Sequence, residues 1–127
     1  MKYNWDDFTK EDYEKTIKAA KEMETSGYDD YFGRVRCGQL CIEVMVYYFG
    51  GRKNTIFVDG YVPYREGYGY KTLEDETEIP YDMFEVFETN NLDLTYEEFK
   101  ELFEKETNKI IENANLTKEA NAELFIW

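Results

Sequence analysis

The chain contains no histidine. This absence excludes histidine-based general acid–base catalysis, Ser–His and Cys–His nucleophile pairs, and mixed Cys/His zinc sites. Glycine-rich phosphate loops of the Gly-x-x-x-x-Gly-Lys-Ser/Thr and Gly-x-Gly-x-x-Gly types are absent as well. The acidic run Glu74-Asp75-Glu76 lacks the alternating ligands and central glycine of a calcium loop. The sequence therefore predicts a protein that is not an enzyme and holds no cofactor or metal.

Cysteine and long apolar runs are also scarce. Cys37 and Cys41 are the only cysteines, and no stretch approaches the roughly 20 apolar residues that span a bilayer. The first ten residues contain no apolar core of a secretory signal. We therefore expect a cytoplasmic protein with both thiols reduced and buried as small hydrophobic groups.

Basic residues are few, at 15 against 28 acidic ones, which gives a formal net charge of −13. A hydrophobic share of 43% with 18% aromatic residues argues against disorder, and 127 residues suit one compact α+β domain spanning residues 1–127. The net charge repels nucleic acid and anionic membranes. A basic protein surface is therefore the expected kind of partner.

Most of the net negative charge lies in one stretch, residues 72–99, which we call the acidic segment. It carries ten carboxylates and no lysine or arginine, while aromatic and aliphatic residues run through it. A solvated tail would lack those apolar groups, so the acidic segment is expected to be folded surface. The candidate partner-binding carboxylates in it are Glu74, Asp75, Glu76, Glu78, Asp82, Glu85 and Glu88.

Tyrosines and glycines alternate just before the acidic segment. Tyr64, Arg65, Tyr68 and Tyr70 have the composition of interface anchors, because tyrosine supplies contact area at little entropic cost and arginine adds directional hydrogen bonds. The alternative is that alternate tyrosines of a strand pack on helices with their hydroxyls in water. Both interpretations stay open from the sequence.

Local patterns predict a helix, then strands, then helices. Thr9 caps a first helix that ends near Ser26-Gly27, and Leu40–Phe49 is a β-branched, aromatic run that indicates a central strand or a buried helix. The turn at residues 50–54 then leads to a returning strand over Thr55–Val62. Arg34–Cys37 and Tyr64–Lys71 are candidates for further strands.

Two helices are predicted within the acidic segment. Pro80 begins the first, with Asp82, Glu85 and Glu88 at i, i+3 and i+6, and Thr95 caps the second with a capping box to Glu98. The predicted fold is α+β, with a small antiparallel sheet of two to four strands within about residues 34–71. An N-terminal helix and two or three C-terminal helices flank that sheet.

These features predict a small acidic binding protein that inhibits or regulates a basic, nucleic-acid-handling protein such as a nuclease. In size and charge the chain resembles the anti-CRISPR and DNA-mimic inhibitors of phages and mobile elements. The resemblance is one of composition and covers no aligned residues. Two alternatives stay open: a metal-dependent hydrolase built from carboxylates such as Asp59 and Glu66, and an acidic structural or oligomeric module whose charge serves only solubility.

Overall fold

The computed structural model describes residues 2–23, 29–37, 40–48, 52–61, 70–72, 78–80 and 84–113. Within them two helices accompany a five-stranded antiparallel sheet and a separate two-stranded one. The elements in chain order are β1 (Tyr3–Asn4), α1 (Lys10–Glu22), β2 (Asp29–Cys37), β3 (Leu40–Tyr47), β4 (Ile56–Tyr61), β5 (Tyr70–Thr72), β6 (Glu78–Pro80), β7 (Phe84–Thr89) and α2 (Tyr96–Asn113).

Both helices begin at the predicted caps, Thr9 and Thr95, and both caps are capping boxes, although the sequence predicts a box only at Thr95. The Thr9 Oγ1 accepts a hydrogen bond from the Asp12 amide at 3.3 Å, and the Asp12 carboxylate accepts one from the Thr9 amide at 2.8 Å. The same exchange joins Thr95 and Glu98, at 3.1 and 3.0 Å. Each pair satisfies two amides that the first helical turn leaves without partners.

The main sheet has the strand order β1-β2-β3-β4-β7, and all its pairs are antiparallel. Strands β3 and β4 form the predicted hairpin, with Val44 opposite Val58 and Val46 opposite Ile56. Strands β5 and β6 pair only with each other in the described part of the chain.

Both helices lie on the same face of the main sheet. The valine and isoleucine side chains of β3 and β4 that pack beneath them are fully buried, as are Phe99 and Phe103 of α2. Two tyrosines hold the helices to neighbouring backbone: the Tyr13 hydroxyl donates to the Leu94 carbonyl at 2.6 Å and the Tyr96 hydroxyl to the Phe8 carbonyl at 2.7 Å. The hydrophobic core therefore lies between this face of the sheet and the helices, and it leaves the opposite face of the sheet, the outer face, without a helix over it among the described residues.

The α+β class with an antiparallel sheet is confirmed, but the predicted arrangement is wrong in two respects. Where a helix was expected from Pro80 to Glu88, Pro80 ends strand β6 and Phe84–Thr89 forms strand β7, which pairs with β4. The main sheet has five strands and extends beyond residues 34–71, from β1 to β7. Of the two or three C-terminal helices expected, the described part of the chain contains one, α2, and residues 114–127 lie outside the described residues.

Three local predictions are refined. Within the run Leu40–Phe49, Leu40–Tyr47 is a strand rather than a buried helix, and α1 ends at Glu22, before the predicted Ser26-Gly27. Cys37 and Cys41 are both buried and are not joined in a disulfide, as expected for reduced structural thiols. Among the described residues, no helix is both long and apolar enough to cross a membrane.

Asn54 links the end of α1 to the start of β4. Its backbone is left-handed (φ 58°), and its side-chain amide donates to the Ala20 carbonyl at 2.7 Å. We expect Asn54→Ala to lower the free energy of unfolding by about 1 kcal/mol, because alanine loses the carbonyl partner and disfavours this backbone region. Chemical denaturation followed by circular dichroism measures the change.

Asn54→Gly separates the two effects. Glycine adopts the left-handed conformation freely but cannot bond Ala20, so the loss should be smaller than for alanine. Equal losses for the two variants would show that the backbone conformation of residue 54 contributes nothing.

Candidate binding face

The residues that the sequence singles out fall into three groups. Seven of them lie outside the described residues: Tyr64, Arg65, Tyr68, Glu74, Asp75, Glu76 and Asp82. Tyr70 and Glu78 lie on the two-stranded sheet, in β5 and β6, where the backbone register places Tyr70 opposite Pro80 and Thr72 opposite Glu78. Glu85 and Glu88 lie on β7, at one edge of the main sheet.

A β-bulge places Glu85 and Glu88 on the same face of the sheet. Glu85 pairs with Asp59 and Glu88 with Phe57, and the register shifts between these pairs, leaving Val86 as the extra residue. Asp59 and Phe57 are two positions apart on β4 and so project from one face. Glu85 and Glu88, three positions apart, therefore both belong to the outer face.

Three carboxylates form a line across the outer face, which we call the acidic row: Glu43, Asp59 and Glu85. Glu43 of β3 is directly opposite Asp59 of β4, and Asp59 is directly opposite Glu85 of β7. Directly opposed residues of an antiparallel pair have their Cβ atoms about 4.5–5.5 Å apart. The row thus presents three like charges at neighbour spacing, with Glu88 beside its β7 end.

Asp59 is the central member of the row, with Glu43 on one side and Glu85 on the other. Burial, and then the negative charges of Glu85, Glu43 and Glu88, raise the pKa of its carboxyl group. The raised pKa follows from the burial of Asp59 and from the carboxylates that the strand register places beside it. Ionised Asp59 is less stable in the fold than in water, because it is partly buried and because its neighbours carry charges of its own sign.

Two arginines border the row without neutralising its centre. Arg34 of β2 is opposite Glu43 in the register, and Arg52 forms an ion pair with Glu88. Among the described residues no lysine or arginine lies within 4.0 Å of the carboxylates of Glu43, Asp59 or Glu85. The carboxylates of Glu43, Asp59 and Glu85 therefore have no ion-pair partner among the described residues.

Aromatic and aliphatic side chains lie beside the acidic row on the outer face, one register step away, which means two residues further along β3 and β4. Tyr31 of β2 is opposite Met45 of β3, which is opposite Phe57 of β4. We call these three residues the apolar row. Tyr31 is 50% exposed, whereas Phe57 is buried beneath the ring of Tyr47, at 3.9 Å between ring centroids. The outer face therefore carries a charged row and an apolar row that run in parallel across the strands.

Cys41 and Tyr61 occupy the other side of the acidic row. A hydrogen bond with the Cys41 thiol, together with burial and the charge of Glu43, raises the pKa of Tyr61 to about 12. Cys37 lies on the helix-covered side beside Tyr3, and burial raises the pKa of its thiol to about 11. A thiol with a raised pKa is a poor nucleophile at neutral pH, which agrees with a structural role for Cys37.

The metal-site alternative proposed Asp59 and Glu66. Glu66 lies outside the described residues. Among the residues that the structure does describe, no group of three or more histidine, cysteine, aspartate or glutamate side chains is placed to hold a metal ion. The geometry around Asp59 gives that alternative no support.

Sequence reasoning did not select Glu43, which the structure places at one end of the acidic row. The signal was present in the hairpin: pairing Val44 with Val58 across the turn at residues 50–54 also pairs Glu43 with Asp59. Pairing the charged residues of β3 and β4 according to the hairpin register would have identified two of the three residues of the acidic row, Glu43 and Asp59. Comparisons with protein-family models, with curated proteins and with solved structures found no match.

Proposed function

We propose that the protein is a non-enzymatic binding protein whose outer face binds a basic surface of another protein. The carboxylates of the acidic row supply the charge for this contact, and the acidic segment adds long-range attraction. Electrostatic attraction of this kind accelerates encounter and selects against acidic partners.

The observation that carries the proposal is the position of Glu43 and Asp59 on interior strands. Carboxylates on edge strands discourage pairing between chains, which accounts for Glu85 and Glu88 on β7. Surface carboxylates dispersed on helices are sufficient for solubility. Neither reason explains two acidic residues placed directly opposite each other on β3 and β4, where like charges destabilise the sheet.

The partner class follows from charge. Surfaces that bind nucleic acid are rich in lysine and arginine, whose positive charges neutralise the phosphates. A protein with a net charge of −13 can compete for such a surface, so the proposed activity is inhibition or regulation of a nucleic-acid-handling protein. This is also how DNA-mimic inhibitors act, and the likeness to that class remains one of composition.

The test uses two variants with the same change in charge. The row variant carries Glu43→Gln, Asp59→Asn and Glu85→Gln. The control variant carries Glu22→Gln, Glu101→Gln and Glu112→Gln, three exposed carboxylates on the helices. Wild type and both variants are immobilised and incubated with a bacterial lysate at low and at high salt, and the captured proteins are identified by mass spectrometry.

We expect wild type and the control variant to capture the same basic, nucleic-acid-binding proteins at low salt, and the row variant to lose them. An oligonucleotide should compete with the immobilised protein for a purified captured partner, because both bind the same basic surface. Capture that is equal for the row variant and wild type, or partners that are not basic, would contradict the proposal.

A further inference from the structure

The outer face combines two rows whose chemistry differs. The acidic row crosses β3, β4 and β7, and the apolar row crosses β2, β3 and β4, one register step away. One register step on the same face is two residues, about 6.6 Å along a strand. A partner element that covers both rows must therefore present cationic and apolar side chains side by side on one surface.

The distance between neighbouring side chains in each row favours one backbone conformation of the partner element over another. Side chains of neighbouring strands are about 4.5–5.5 Å apart at Cβ. On an α-helix, residues at i and i+4 have Cβ atoms about 5–6 Å apart. In an extended segment, side chains on one face recur only every two residues, at about 6.6 Å. Cationic side chains at i, i+4 and i+8 of a helix therefore match the acidic row more closely than those of an extended peptide.

The apolar row gives the helix a second point of contact. Tyr31 is the exposed large hydrophobic residue among those described, and Met45 beside it is partly exposed. Half-exposed aromatic side chains next to charged ones are typical of interface anchors. Because the two rows are parallel, one amphipathic helix lying across the strands can contact both.

We propose that the outer face binds an amphipathic helix of the partner, which crosses the strands with its arginine or lysine residues over Glu43, Asp59 and Glu85 and its apolar residues over Tyr31 and Met45. This inference rests on the proposed function and specifies the shape of the partner. It places a helix on the second face of the sheet, in the manner of α1 and α2 on the first.

Three synthetic peptides of equal length and composition test the inference. The first is a helical peptide with arginines at i, i+4 and i+8 beside a leucine stripe. The second has the same residues in scrambled order, and the third places arginine at every second position of an extended sequence. Fluorescence anisotropy measures the affinity of each for the full chain, and amide chemical shifts locate the bound peptide.

The helical peptide should bind at least about tenfold more tightly than the other two, and the row variant should weaken it by about tenfold or more. Tyr31→Ser should weaken the helical peptide but leave the scrambled one unchanged, because only the helix contacts both rows. Tyr31 is half exposed, so this variant should retain the fold, which a thermal melt verifies.

Equal binding of all three peptides, tighter binding of the extended peptide, or no binding of the helical one would overturn the helical mode. Any of these results would leave the capture experiment as a separate test of the proposed function. Amide shifts confined to α1 or α2 would overturn the inference too, since they would place the peptide on the opposite face.

Discussion

Gly33→Ala is expected to lower the free energy of unfolding by about 2–4 kcal/mol. A Cβ atom at this position would lie 2.6 Å from the Asp7 carbonyl oxygen and 3.0 Å from Cδ2 of Phe8. The φ of Gly33 is +156°, and the residue follows the bulge of β2. To avoid these two contacts, the backbone at residue 33 would have to move away from the Asp7 carbonyl and from Phe8, which is fully buried.

Chemical denaturation at neutral pH measures the loss, and Arg36→Ala serves as the control because Arg36 is exposed on the same strand. The control should change the stability by no more than about 0.5 kcal/mol. A Gly33→Ala protein as stable as this control would show that the segment before α1 does not pack tightly on β2.

Asp59→Asn should act in the opposite direction and raise the stability at pH 7 by about 1–2 kcal/mol, since two directly opposed like-charge pairs disappear. The amide is close in shape to the carboxylate, so the packing around β4 is kept. For a domain of this size the melting temperature should rise by about 3–10 °C. Glu101→Gln, a change of equal charge at an exposed position on α2, should shift the melting temperature little.

The effect should depend on pH with a definite sign. The pKa of Asp59 is raised in the folded state, so its contribution favours folding below the unfolded-state pKa and is lost as pH rises through the folded-state pKa. Wild type is therefore penalised at pH 7, and the advantage of Asp59→Asn should shrink as the pH falls towards about 4. An advantage that is constant from pH 7 to pH 4, or a variant less stable than wild type at pH 7, would contradict a crowded acidic row.

Elements with local signals were predictable from the sequence. The capping boxes at Thr9 and Thr95 lie within four residues of chain, and the helices that they start are present. The hairpin of β3 and β4 was predictable because a turn of glycine and asparagine separates two runs of alternating apolar residues. In both cases the determining interactions are between residues close in sequence.

Strand β7 was not predictable in this way, and the reason is the bulge at Val86. A regular strand places residues i and i+2 on one face, whereas the bulge places Glu85 and Glu88, three apart, on the same face. A spacing of three imitates a helix, and Pro80 strengthened that interpretation. Pairing with β4 and burial of Val86 and Phe87 decide the conformation, and both depend on residues distant in sequence.

The candidate site was missed for a related reason. The sequence concentrates negative charge in residues 72–99, but the acidic row takes only Glu85 from that segment. Glu43 and Asp59 are isolated acidic residues within apolar strands, and only the sheet brings them together. For locating the acidic row, the density of charge along the chain was therefore less informative than the isolated acidic residues within the apolar strands.

The most direct test of the acidic row as a binding site is the pKa of the Asp59 carboxyl group, followed by ¹³C NMR in the free protein and with the helical peptide at saturation. The free protein should give a pKa above the ordinary aspartate value, because burial disfavours the ionised form and Glu85 and Glu43 repel it. An arginine side chain of the bound peptide stabilises the ionised carboxylate of Asp59. Binding of the peptide should therefore lower the pKa of Asp59, by linkage. An Asp59 pKa at or below its ordinary value in the free protein, or one that the peptide leaves unchanged, would contradict the account.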